Sequence, residues 1–156
     1  MVEATLTKTK NMKTINQYQL KKIQSDFPKE KITSSRAAYD FISRFYDDDI
    51  EIFESSFILM LNQANLTIGF AKISQGGITG TVVDVRIIAK YAVESLSTSI
   101  ILAHNHPSGN LNPSESDRKL TRQVKDGLAL LDVRLFDHLI LTKESYYSFA
   151  DEGNIL

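Results

Sequence analysis

The chain has 156 residues, 42% hydrophobic and 24% charged, ordinary globular proportions for one domain with a real core. It contains no cysteine, so disulfide frameworks, zinc ribbons, thiolate nucleophiles and iron–sulfur clusters are excluded, and any metal must sit on His, Asp, Glu or water. The net charge of −1 hides an asymmetry: Met1–Arg36 carries eight Lys and Arg against three Asp and Glu, and Ala37–Leu156 carries ten against sixteen.

No run of eighteen apolar residues occurs, and Met1-Val2-Glu3-Ala4 lacks the charged-then-apolar pattern of a secretory signal, which predicts a cytosolic protein without a membrane partner. Residues 1–33 are Lys-rich with scattered Leu and Ile and no sustained period, and read as a basic, weakly ordered arm preceding a domain over residues 34–156. Such an arm can touch nucleic-acid phosphates, although charge runs are more often solvated and the acidic body lacks the basic face of a DNA-binding domain.

In chain order, Ser34-Ser35 caps a helix through Tyr46, with Ala38, Phe41, Ile42 and Phe45 on one face, and Asp47-Asp48-Asp49 ends it. Ser56–Asn62 and Leu66–Ile73 read as a hairpin about Gln63-Ala64-Asn65, and Gly76-Gly77 leads to a third strand, Ile78–Val85. Arg86–Leu96 has helical spacing, and Ser99–Ala103 is a short apolar run typical of a strand covered on both faces, ending at His104. After the loop Pro107–Pro113, Ser114 caps a helix whose stripe is Leu120, Val124, Leu128 and Leu131; Val133–Thr142 and Tyr146–Phe149 complete the sheet. The expected class is α/β, a three-layer mixed sheet with flanking helices.

The informative stretch is His104-Asn105-His106-Pro107-Ser108-Gly109-Asn110-Leu111-Asn112-Pro113-Ser114-Glu115-Ser116-Asp117, which reads H-x-H, seven residues, S-x-x-D. On extended backbone the two imidazoles point one way and Asn105 the other, and Pro107 keeps His106 extended. Two such histidines are half of a tetrahedral zinc site. Asp117, in the first turn after Ser114, fits as a third ligand, but S-x-x-D before an apolar stripe is also close to a capping box, in which the carboxylate only accepts a backbone N–H. By chance the joint pattern should arise in roughly one chain of this length in several thousand, so the conjunction is stronger than its parts.

Other zinc signatures fit worse, since neither the H-x-E with P-C-x-x-C of deaminases nor H-E-x-x-H is present. A catalytic zinc still needs a nearby carboxylate to move the proton of its water. Glu54 and Glu51, both on the approach to the first strand, are the candidates, and the residues alone do not choose between them. His138, beside Asp137, reads as a hydrogen-bonded neighbour of the site, since a fourth protein ligand would close the open position.

The pattern from His104 to Gly109, with Pro113-Ser114 and Asp117, resembles the RadC branch of the JAMM (MPN) metalloproteases, as do Phe136-Asp137-His138-Leu139-Ile140 and Tyr147-Ser148-Phe149. The likeness runs from about Ser34 to the C-terminus. It implies the JAMM/MPN, cytidine deaminase-like fold, Zn2+ on His104, His106 and Asp117, the general-base glutamate at Glu54, and oxyanion stabilisation by Ser114 or its neighbourhood. The implied activity is that of a zinc-dependent metallopeptidase or isopeptidase acting on a peptide or isopeptide substrate. The alternative is a DNA-associated repair or anti-restriction accessory protein that retains a zinc site and contacts phosphates through Lys8, Lys10, Lys13, Lys21 and Lys22. Two departures stand out: longer RadC members carry a helix-hairpin-helix domain where this sequence has a short arm, and Val85 stands where proline is common.

Overall fold

A computed structural model of the chain describes residues 15, 17, 21–77 and 80–155. In order, these contain helix α1 (Ser35–Ile42), strands β1 (Ser55–Leu61) and β2 (Thr67–Gln75), helix α2 (Val85–Glu94), strand β3 (Ser99–Asn105), helix α3 (Glu115–Ala129), and strands β4 (Arg134–Leu141) and β5 (Tyr146–Ser148). The strands form one sheet in the order β2-β1-β3-β4-β5. Only β3 and β4 are parallel; the other neighbours are antiparallel, so the sheet is mixed. Helix α3 is the long crossover that a parallel pair requires.

Side-chain alternation sorts the sheet into two buried faces. On one, Leu59, Leu61, Ile101, Ala103, Leu139 and Leu141 pack against Ala38, Tyr39, Phe41 and Ile42 of α1. On the other, Ile58, Met60, Ile100, Leu102 and Leu135 meet Ile88 and Ala92 of α2 and Val124 and Leu128 of α3. The result is the expected α/β three-layer arrangement. Every residue of β3 is buried, and a truncation to Ala on either of its apolar faces costs about 2–5 kcal/mol, which keeps the strand leading to the histidines stiff.

Local chemistry sets the element boundaries. The Ser34 hydroxyl accepts from Ala37 N at 3.1 Å, a cap worth about 1 kcal/mol. The helix it starts ends at Ile42 rather than continuing to Tyr46; a tight 3₁₀ turn, Ser43–Phe45, follows, and the acidic run enters a second such turn, Asp48–Glu51. Asn62 closes the expected hairpin by accepting from Ala64 N and Leu66 N. Packing against the body begins ahead of Ser34, because Ile32 is buried with α1 and Phe27 lies edge-on to Phe45 and Phe70. Lys8, Lys10 and Lys13 lie outside the described residues, whereas Lys21 and Lys22 are exposed.

Among the described residues, the third strand expected over Ile78–Val85 is not formed. Ile78 and Thr79 lie outside the described residues, Gly80–Asp84 is irregular, and Val85 is the first residue of α2, capped by the Asp84 carboxylate through Arg86 N. Thr81, Val82 and Val83 favour extended structure by propensity, but Val82 is 87% exposed and the Asp84 cap starts α2 in their wake. At the C-terminal end of α3, Leu131 is likewise 44% exposed and falls outside the core stripe.

One irregularity bears directly on the site. Between β3 and β4 the register runs Ile100↔Leu135 and then Ile101↔Asp137, so Phe136 is an extra residue in β4. Leu135 faces α3, and uninterrupted alternation would place Asp137 on that face and His138 on the opposite one. The bulge reverses this and puts His138 beside Leu102, on the α3 side.

Candidate metal centre

Strand β3 carries Ile100, Leu102 and His104 in alternation on the α3 side, and His106, immediately past its end, continues the series. The backbone stays extended there, with His106 N donating to Leu141 O at 2.9 Å. The two rings lie 4.9 Å apart, with their Nε2 atoms 3.0 Å apart. Asp117 arrives from the first turn of α3, with Oδ1 3.2 Å from His104 Nε2 and Oδ2 3.6 Å from His106 Nε2. Ligand atoms of His104, His106 and Asp117 thus lie within 4.8 Å of one another, two of the residues buried and the third half-buried.

Proton positions decide whether this cluster suits a cation. His106 Nδ1 lies 2.6 Å from Asn110 O, and since a carbonyl only accepts, Nδ1 carries the hydrogen and Nε2 presents its lone pair. His104 Nδ1 is engaged by His138 Nε2 at 2.9 Å, which leaves His104 Nε2 aimed at Asp117. Burial pushes the Asp117 carboxyl up, but the His104 and His106 rings against it and the Ser114 hydroxyl outweigh burial and hold this group far below the usual carboxylate range. Asp117 would accept a hydrogen bond from a proton added at Nε2, which raises the His106 pKa against the opposing pull of burial. Two imidazole nitrogens and an ionised carboxylate therefore converge on one point. That donor set can hold a metal ion, and among the described residues no fourth protein ligand closes the remaining position.

The two readings of S-x-x-D are both realised. Asp117 Oδ2 accepts from Ser114 N and from Ser114 Oγ, each at 2.7 Å, while Ser114 Oγ accepts from Asp117 N at 3.1 Å, a complete capping box. The cap orients the carboxylate toward the histidines. The Ser114 hydroxyl proton is given to Asp117 in this arrangement.

His138 does not join the three-residue cluster. It is fully buried, stacked on Phe149 at 4.8 Å and 7°, and burial keeps its pKa well below the ordinary imidazole value, so the ring is neutral. Asp137 faces away, accepting from Ser148 Oγ, Ala150 N and His138 N.

The two candidate glutamates separate. Glu51 is exposed and 3.5 Å from Lys143 Nζ. Glu54 is half-buried immediately before β1, whose Ser56 is the direct partner of His104, and its charge is near enough to contribute to the raised His106 pKa. Asn105 fixes this approach, a role that the sequence reading missed. Its Oδ1 accepts from Ser55 N at 2.7 Å, and its Nδ2 donates to Ile50 O at 2.6 Å and Phe53 O at 2.8 Å. The residue between the two histidines thus holds the segment that carries Glu54.

A RadC-like JAB domain family matches residues 32–154. The chain is 45% identical over 124 residues to a UPF0758 protein of Flavobacterium johnsoniae, covering 80% of this chain and 53% of that one. It is 48% identical over 126 residues to a UPF0758 protein of Porphyromonas gingivalis, covering 80% and 55%, and 36% identical over 146 residues to one of Fusobacterium nucleatum, covering 94% and 58%. The chain spans about half the length of these curated relatives. With a mixed sheet between helices, and a His-His-Asp cluster at the end of its central strand, the chain belongs to the RadC-like JAB domain family.

Proposed function

We propose that this domain is a zinc-dependent hydrolase of amide bonds, with a peptide or isopeptide as substrate. The observation that carries the reading is the convergence of His104 Nε2, His106 Nε2 and the Asp117 carboxylate, with the half-buried Glu54 entering the neighbouring strand whose Ser56 pairs with His104. His104, His106 and Asp117 would hold the ion, a ligand set that suits zinc. When bound, zinc supplies Lewis acidity toward a carbonyl and brings the ionisation of water close to neutral pH. Glu54 takes the proton of the attacking water and passes it to the leaving amine, work that a positioned carboxylate performs with a contribution of about 10²–10⁴ in rate.

Asn105 keeps Glu54 in place from the opposite face of β3. Ser114 orients Asp117, and donation to an oxyanion would require its hydroxyl to leave that carboxylate. The test is a screen of peptide and isopeptide substrates with zinc-loaded wild type and Glu54→Gln. Hydrolysis by wild type that falls at least ~100-fold in Glu54→Gln, with zinc content unchanged, is the expected result. Equal hydrolysis by both proteins would remove Glu54 from the mechanism.

A further inference from the structure

The hydrogen bond from His104 continues past His138. His104 Nδ1 meets His138 Nε2 at 2.9 Å, His138 Nδ1 meets Thr121 Oγ1 at 2.7 Å, and Thr121 Oγ1 donates to Asp117 O at 2.7 Å. His104, His138 and Thr121 are each at most 3% exposed, so water does not compete for these groups.

The direction of every bond follows from the last one. The Asp117 carbonyl can only accept, so it takes the single hydroxyl proton of Thr121. Thr121 Oγ1 must then accept from His138 Nδ1–H. His138 is 0% exposed and, among the described residues, its ring nitrogens meet only Thr121 Oγ1 and His104 Nδ1, with no carboxylate to hold a second hydrogen; carrying its one hydrogen on Nδ1, it presents a lone pair on Nε2, which must accept from His104 Nδ1–H. His104 is left with a bare Nε2, the atom that points at His106 and Asp117.

We propose that His138 and Thr121 are positioning residues that lock His104 in its metal-binding tautomer and tie the strand-borne ligand His104 to the backbone of the helix-borne ligand Asp117. This rests on the metal reading of the cluster. The closed path runs from His104 on β3 through His138 on β4 to Thr121 and Asp117 on α3, so β3 and α3 are registered at the point where their ligands meet. The Phe136 bulge is what makes this possible, because it brings His138 to the α3 side of the sheet. Partners of this kind typically alter metal affinity by 10–100-fold when removed.

The experiment uses the full chain with Thr121→Val, which keeps the shape and deletes the hydroxyl, Thr121→Ser, which restores it, and His138→Phe, which keeps a ring against Phe149. Zinc affinity is measured by competition with a chromophoric chelator. Imidazole tautomers are read from long-range proton–nitrogen spectra of the metal-free protein, with folding checked by circular dichroism. The expected result is about 10-fold or greater loss of zinc affinity in Thr121→Val, affinity within about 3-fold of wild type in Thr121→Ser, and a His104 signal that leaves the pure Nδ1–H form in Thr121→Val and His138→Phe. Folded Thr121→Val and His138→Phe that bind zinc within about 3-fold of wild type, with the His104 tautomer unchanged, would overturn the proposal and leave the metal site standing. A folded wild type that binds no zinc would instead refute the metal reading, and the positioning role with it.

Discussion

Replacing Asn105 with Ala should separate zinc binding from catalysis. The wild-type amide satisfies three backbone groups of the segment that approaches β1. Ser55 is 4% exposed, so its N–H would be left buried without a partner, at about 1–3 kcal/mol. Ile50 and Phe53 lie nearer the surface, and their carbonyls regain water, so each lost bond there costs about 0.5–1.5 kcal/mol. The expected total is about 2–6 kcal/mol. Since Asn105 faces away from Asp117, zinc affinity should stay within about 3-fold of wild type, whereas freeing Glu54 by even ~1 Å should cost about 10² in kcat/KM. Urea denaturation gives the stability, chelator competition the affinity, and hydrogen exchange over residues 48–55 the local opening. A stability loss under about 0.5 kcal/mol with unchanged protection over that segment would refute the clamp.

Further consequences follow from the same geometry. Ser114→Ala removes the cap of α3 and one hydrogen bond to the Asp117 carboxylate, so metal-free protein should lose about 1 kcal/mol by thermal denaturation, and zinc affinity should fall as well. If Ser114→Ala lowers kcat while zinc affinity holds, its role lies with the oxyanion instead. Asp137 has its pKa pushed up to about 6 by burial, so the native state binds its proton more tightly than the unfolded chain does. Its contribution is therefore fully present below the unfolded pKa of about 4 and is lost as pH rises through about 6; the wild-type minus Asp137→Asn stability difference should fall by about 2 kcal/mol between pH 4 and 7. A flat difference in urea titrations across that range would contradict this. Because Asp117 raises the His106 pKa above the ordinary imidazole value, zinc competes with a proton there, so apparent affinity should weaken as pH falls through that raised value. Calorimetry in two buffers of different ionisation enthalpy would detect the released proton, and identical heats in both would argue against it.

What the sequence revealed depended on how far the chemistry is spread along the chain. His104, His106 and Asp117 fall within one short stretch, and strand alternation plus a helix cap place them with local rules alone. The buried strand, the hairpin and the three-layer class were legible for the same reason, since periodicity and caps are local signals. Glu54 was not separable from Glu51 on residues alone, because the difference is the Asn105 clamp and the pairing of β1 with β3, both contacts between distant segments. His138 was anticipated as a hydrogen-bonded neighbour, but the face that it occupies depends on the extra residue at Phe136, which carries no turn or glycine signal. Thr121 reads as an ordinary helix residue; only the folded structure brings its hydroxyl to His138. Over Gly80–Val85 a local signal pointed the wrong way, because the β propensity of Thr81, Val82 and Val83 is outweighed in the fold by the Asp84 cap of α2.

The most direct test of the central claim is metal content by mass spectrometry on purified protein, comparing wild type with His106→Ala and Asp117→Ala, each checked for folding. One zinc ion per wild-type chain, lost in both variants, is the expected result. A folded wild type that stays metal-free after loading with zinc would contradict the account and leave Asp117 as a helix cap alone.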